Sequence, residues 1–353
     1  MKRNTFLKKV SSLLGVGTML LALSSCLSSG SESFILEEDI VDPGEGISDV
    51  INFDGQEATY SSGDMPATTV DIPLDEVTMN QQALSGGANF ITIRTKEDYD
   101  VFYVGLKGMN GYYTVAPKTK SYDSQANQYI YTMVMNFSEE FSETVTVIIR
   151  GGNTETGDVS KPYESDVEFV ESRTGDLDIK LVFENAKDID LHLITPSGLH
   201  IYYGNRGGEY TDENGEQHSY GLDHDSNASC RIDNLNNENI FLPNAMLEAG
   251  TYTVQVDMFS NCDRRISTAW SLWVRYQGDL IRNELADYGN PAQGVYPVGA
   301  GTGDYTPVFQ FTLTSVQAAA ARARSPKLYN IRPILPTDMD LIKMEQEAID
   351  ATL

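Results

Sequence analysis

Ile189-Asp190-Leu191-His192-Leu193 alternates apolar and polar side chains with a period of two. That period puts one set on each side of an extended strand, as an antiparallel sheet with one buried face requires. Leu177-Asp178-Ile179-Lys180-Leu181 carries the same pattern just upstream. Tyr252-Thr253-Val254-Gln255-Val256-Asp257-Met258, Trp270-Ser271-Leu272-Trp273-Val274-Arg275-Tyr276 and Phe309-Gln310-Phe311-Thr312-Leu313 continue it downstream. Residues 165–315 therefore read as one β-sandwich, interrupted by a polar, glycine-rich excursion over 204–239. A loop of that length is either functional or held by something.

The half before it has the same character. Phe90-Ile91-Thr92-Ile93-Arg94, Val101-Phe102-Tyr103-Val104, Tyr112-Tyr113-Thr114-Val115, Tyr129-Ile130-Tyr131-Thr132-Met133-Val134-Met135 and Val145-Thr146-Val147-Ile148-Ile149 are strand-like and separated by glycine turns. Residues 51–160 resemble an immunoglobulin-like sandwich in architecture, without its Cys–Trp–Cys signature. Lys161-Pro162-Tyr163-Glu164-Ser165 reads as a linker. The fold class expected is all-β, two sandwiches followed by a short helical tail over 316–353. Within that tail, 318–324 forms a cationic helical patch and Thr337 caps a helix running to residue 351.

The first 25 residues have a basic start and an apolar run too short to span a bilayer, which marks a secretory signal. It ends in Leu23-Ser24-Ser25-Cys26, which resembles the lipobox of bacterial lipoproteins. That resemblance implies acylation, including palmitate, of Cys26, with two or more chains giving stable membrane attachment. Leu27 in place of aspartate favours the outer membrane, with the leaflet left open. Residues 26–50 are rich in serine, glycine and acids and read as a flexible tether. Their acidic run only loosely resembles the surface-export signals of Bacteroidota lipoproteins.

Charge narrows the function. The full chain has 25 Lys and Arg against 51 Asp and Glu, a formal charge of −26. Loss of the four cations in the signal segment takes it to about −30, which excludes a generic nucleic-acid binder and disfavours contact with anionic lipid. No His-Glu-x-x-His, Gly-x-Ser-x-Gly or phosphate-loop spacing is present.

Read together, Asp188-Ile189-Asp190-Leu191-His192, Pro196-Ser197-Gly198, Ile201-Tyr202-Tyr203-Gly204-Asn205, Gly221-Leu222-Asp223-His224-Asp225, Glu238-Asn239-Ile240-Phe241 and Ala249-Gly250-Thr251-Tyr252-Thr253-Val254 resemble the YfaP-like family of bacterial β-sandwich domains. The resemblance implies an envelope or secreted sandwich and no established reaction. Ala249 stands where relatives often carry proline, which touches only a turn.

The acids of this unit have a pattern of their own. With Ile189, Leu191 and Leu193 facing the core, Asp188, Asp190 and His192 share the other face at a spacing of about 6.6 Å. Asp223-x-Asp225-x-Asn227 adds oxygen donors at alternate positions, and Asn205 lies in the same excursion. Such hard donors suit calcium, with Asp190, Asp223 and Asp225 as first choices and Asp188 and Asn205 next. An EF-hand is excluded, because the sixth and twelfth positions from Asp223 are Ala228 and Asn234. A solvated acidic face is the plain alternative. Asp188 and Asp190 also meet the short edge of the inverting-glycosidase spacing, roughly 6.5–9.5 Å. With Cys26 lipidated, Cys230 and Cys262 remain as an even pair in an oxidising compartment and are expected to form a disulfide.

The expected function is a lipid-anchored envelope binding or adhesion protein without catalysis, whose partner is an extracellular or periplasmic protein or glycan. The alternatives are a carbohydrate-active enzyme or accessory using Asp188 and Asp190, and a structural spacer or assembly subunit.

Overall fold

A computed structural model describes residues 46–139, 142–212, 215–303, 305–315 and 317, and the backbone of 329–333. The signal segment, Cys26 and nearly all of the expected tether lie outside these residues, as do the expected helices over 318–324 and 337–351.

The described chain is all-β. The first half contains β1 (Ile51–Asn52), β2 (Ala58–Ser61), β3 (Glu76–Thr78), β4 (Gln82–Leu84), β5 (Ala88–Thr95), β6 (Val101–Leu106), β7 (Tyr112–Val115), β8 (Thr119–Asp123), β9 (Gln128–Phe137), β10 (Val145–Asn153), β11 (Asp158–Val159) and β12 (Tyr163–Val170). One sheet runs β1-β9-β5-β3 with β8 on β9, and the facing sheet runs β2-β7-β6-β10-β12-β4 with β11 on β10. Their inner faces enclose Ile91, Ile93, Phe102, Val104, Tyr131, Met133, Val147 and Ile149.

Two expected boundaries move. Tyr163–Val170 belongs to this first sandwich as β12, pairing with β10 and in parallel with β4. Its alternation buries Ser165 and Val167, so the segment read partly as linker is a core strand. Residues 46–50, read as the end of the tether, are also part of the fold: Ile47 and Val50 enter the core.

The second half contains β13 (Leu177–Phe183), β14 (Asp188–Ile194), β15 (His200–Ile201), β16 (Gly207–Thr211), β17 (Gln217–His224), β18 (Asn237–Leu242), β19 (Gly250–Ser260), β20 (Thr268–Tyr276), β21 (Asp279–Leu280), β22 (Ala292–Tyr296), β23 (Thr306–Leu313) and β24 (Tyr329–Pro333). One sheet runs β21-β20-β13-β18-β17-β16-β24 with β22 on β20, and the other runs β15-β14-β19-β23. The excursion expected to be a loop contains β16, β17 and the start of β18. Glycine permits this: a Cβ on Gly221 would sit 1.9 Å from the Arg206 carbonyl oxygen, and one on Gly207 would sit 2.2 Å from that of Tyr220. Beyond this close approach, Tyr210, Tyr220 and Leu222 turn into the core. In the expected helical tail, residues 329–333 are strand β24, paired with β16. Just past β23, Thr314 and Gln317 exchange the reciprocal bonds of a capping box.

The two sandwiches pack against each other. Ala88, Phe90 and Val134 meet Val182 and Trp273 in a small apolar cluster. Asn237 accepts from the Ala88 N–H at 3.0 Å and donates to its carbonyl at 2.9 Å. Beside this contact lies a cleft of about 360 Å³ lined by Asp54, Glu139, Asp178, Lys180, Trp273 and Arg275, among others.

Candidate metal centre

On β14 the apolar row Ile189, Leu191 and Leu193 enters the core, and Asp188, Asp190 and His192 form the opposite row. That second row is as buried as the first, with exposures of 1%, 2% and 0%. It is therefore not a solvated acidic face. The chain past β17 folds back over it. The Ser229 N–H donates to Asp188 Oδ2 at 2.9 Å, and the Asn227 side-chain amide donates to the Lys187 carbonyl. A disulfide between Cys230 and Cys262 fastens this cover to the end of β19.

Asp233 shapes the cover from within. Burial pushes its pKa up, but donation from His224, from the Leu235 N–H and from Ser226 outweighs that and holds it below the usual value. It acts as the hub of the loop.

Around that row the fold gathers five carboxylates. Asp257 on β19 is the direct cross-strand partner of Asp190. Glu238 on β18 accepts the Leu191 N–H at 2.6 Å, and Asp225 follows β17. Oxygens of Asp188, Asp190 and Asp225 lie within 4.8 Å of one another. Ligand atoms of Asp190, His192 and Asp257 do the same, so Asp190 belongs to both groups. Asp188 Oδ1, Asp190 Oδ2, Glu238 Oε1 and His192 Nε2 are buried without a hydrogen-bond partner.

The electrostatics follow from this crowding. Two charges at such separations repel by about 3–4 kcal/mol per pair at an effective dielectric constant near 20. Burial, then the Asp225 charge, raises Asp188 to about 8. Asp190 is raised well above its usual value by burial and by Glu238 and Asp188, and Glu238 by burial and Asp225. Asp225 is raised by burial, against Arg206. Burial and His200 lower His192 to about 3, which leaves a neutral imidazole. Protonation or a cation can relieve such a cluster. Hard oxygen donors in this number suit a divalent cation.

Of the residues singled out from sequence, Asp188, Asp190 and Asp225 converge. Asp223 and Asn205 do not. The β17–β18 register shifts between Leu222 and His224, which breaks the alternation that would have kept Asp223 and Asp225 on one side. Asp223 instead accepts the Arg173 N–H at 2.7 Å, with the guanidinium 3.5 Å away. The Asn205 amide donates to the His200 carbonyl at 2.7 Å and closes a turn. Glu238 and Asp257 were missed. Asp257 is outward by alternation, but its pairing with Asp190 is a matter of register, which no spacing within one strand encodes.

A third group, Asp212, Glu216 and His218, sits at the β16–β17 turn. Asp212 there accepts the Glu216 N–H at 2.8 Å, as a turn residue does. At 1% and 2% exposure, Asp188 and Asp190 offer no surface to a polymeric substrate.

No family model matches the chain, and no curated protein matches it. Among solved structures it is similar to the C-terminal domain of the Streptococcus agalactiae AgI/II polypeptide BspA, at 9% identity and a TM-score of 0.16. That match covers 64% of this chain and 97% of the other. Among the described residues, no helix is long and apolar enough to cross a membrane.

Proposed function

We propose that this protein is a calcium-clasped binding protein of the bacterial cell envelope, held to the outer membrane by lipid on Cys26. Its second sandwich is taken as a YfaP-like domain and its ligand as an extracellular or periplasmic protein or glycan. One observation carries the calcium: Asp188, Asp190, Asp225 and Glu238 converge in a buried site and three of them keep an oxygen without a hydrogen-bond donor. Calcium takes six to eight oxygens, and sites of extracellular modules bind it at about 10⁻⁴–10⁻³ M. An ion there fixes the cover over β14 and keeps the binding scaffold rigid.

The test is to probe glycan and protein arrays with the mature protein in millimolar calcium and in excess chelator, and to melt the same samples. The expected result is array signal lost on chelation and a melting midpoint raised by calcium. The stabilisation should be about 2.7 kcal/mol when free calcium is a hundredfold above the dissociation constant. An unchanged midpoint would remove the calcium centre. The anchor is tested separately: Cys26→Ser should release the protein from the membrane fraction, and a variant that stays membrane-bound refutes lipidation.

A further inference from the structure

The oxygens of Asp188, Asp190 and Asp225 form one group, and the ligand atoms of Asp190, His192 and Asp257 form a second. In the second, Asp257 faces Asp190 across the β14–β19 pair and His192 sits two residues along β14. His192 is a non-acidic donor and points to a ligand independently. It is fully buried, its Nε2 has no hydrogen-bond partner, and one of its ring nitrogens lies within 4.8 Å of oxygens of both carboxylates.

The surroundings of His192 have the form of a metal-ligand support. Its Nδ1 is 2.9 Å from His200 Nε2, which leaves Nε2 as the free nitrogen. Its ring stacks on Tyr202 at 5.2 Å and meets Tyr305 edge-on at 5.1 Å. Metal-bound histidines are held in this way, with the second nitrogen bonded and the ring orientation fixed. Tyr305, which touches the His192 ring, is itself 47% exposed. Mixed imidazole and carboxylate donors differ in kind from the all-oxygen group beside them. Imidazole suits zinc and its neighbours, whereas calcium prefers oxygen alone.

We propose that Asp190, His192 and Asp257 hold a second cation, a transition ion of the zinc class, with Asp190 bridging it to the calcium. Three protein ligands leave a fourth position of a tetrahedral zinc site for water or a ligand group. This inference shares only Asp190 with the calcium reading, and each stands or falls on its own element.

The test uses untagged mature protein, stripped of metal and equilibrated with calcium and zinc together, then counted by elemental analysis after gel filtration. One zinc and one calcium per chain are expected. His192→Phe should lose the zinc, with affinity down by about a hundredfold or more, and keep the calcium. Calcium without zinc overturns the second site and leaves the first. Zinc without calcium overturns the calcium reading and the Asp190 bridge, and leaves the zinc site. Zinc retained undiminished in His192→Phe also overturns the assignment. If that variant does not fold, X-ray absorption at the zinc edge of the natural protein decides: outer-shell scattering from one imidazole is expected, and its absence refutes the site.

Discussion

The two sandwiches bury similar apolar cores and very different polar groups. In the first, the buried polar residues are Ser85, Asn89, Thr95, Asn136, Ser160 and Ser165, all neutral. They bond locally: Asn89 accepts from the Asn80 N–H and donates to the Asn80 carbonyl, and Ser160 accepts the Gly151 N–H. In the second, the buried set includes Asp178, Lys187, Asp188, Asp190, Glu238 and Asp257. A neutral amide is satisfied by one backbone neighbour, whereas a buried charge needs an opposite charge or a proton. Described buried charge is thus confined to one half of a single chain. The first half folds on hydrophobic burial and hydrogen bonds, and the second depends on its ionic surroundings as well.

The largest effect that separates the halves comes from the disulfide. Cys230 and Cys262 close a loop of 32 residues that is anchored at the cover over β14. The chain-entropy relation gives roughly 3–4 kcal/mol for such a loop. Replacing both cysteines by serine should cost about that much. Amide exchange should accelerate over 188–194 and 225–238, with β5 and β9 protected as before. Equal acceleration in both sandwiches would erase the distinction.

A smaller effect concerns pH. Burial, opposed by Lys180 and assisted by Glu139, raises Asp178 to about 7. The folded protein keeps this proton up to about pH 7, while the unfolded chain releases it near pH 4. More protons are then bound in the folded form across that window, so stability is present in full below about pH 4 and falls as pH rises through about 7. Asp178→Asn should remove this part of the fall, seen as a flatter urea midpoint between about pH 4.5 and 7.5 at constant calcium. Parallel profiles for the two proteins would show that the charge at Asp178 does not act in folding.

Much of the scaffold was readable in the alternation itself. Each of the strands expected around 90–94, 129–135, 177–181, 189–193 and 252–258 is present, because a period of two with β-branched and aromatic residues leaves few other ways to bury them. Short edge strands such as β2 and β11 have too few residues to show a period. The β16–β17 hairpin looked polar because only Tyr210, Tyr220 and Leu222 turn inward, and its crossing depends on two glycines. The candidate centre was half legible. Asp188 and Asp190 share a row by simple alternation, and Asp225 joins them. Glu238 and Asp257 arrive from other strands through register, and Asp223 leaves through a bulge, neither of which is written in local spacing.

Strand β24 has a consequence for how the chain reaches its final state. It pairs with β16 at the margin of the larger sheet, yet it lies over a hundred residues later in the chain. Until residue 333 has been synthesised, β16 presents a row of open backbone donors and acceptors. Such a row is a template for strand addition by another molecule. The segment that ends this exposure works as a built-in stopper, and the interval before it arrives is when nascent copies are most prone to join edge to edge.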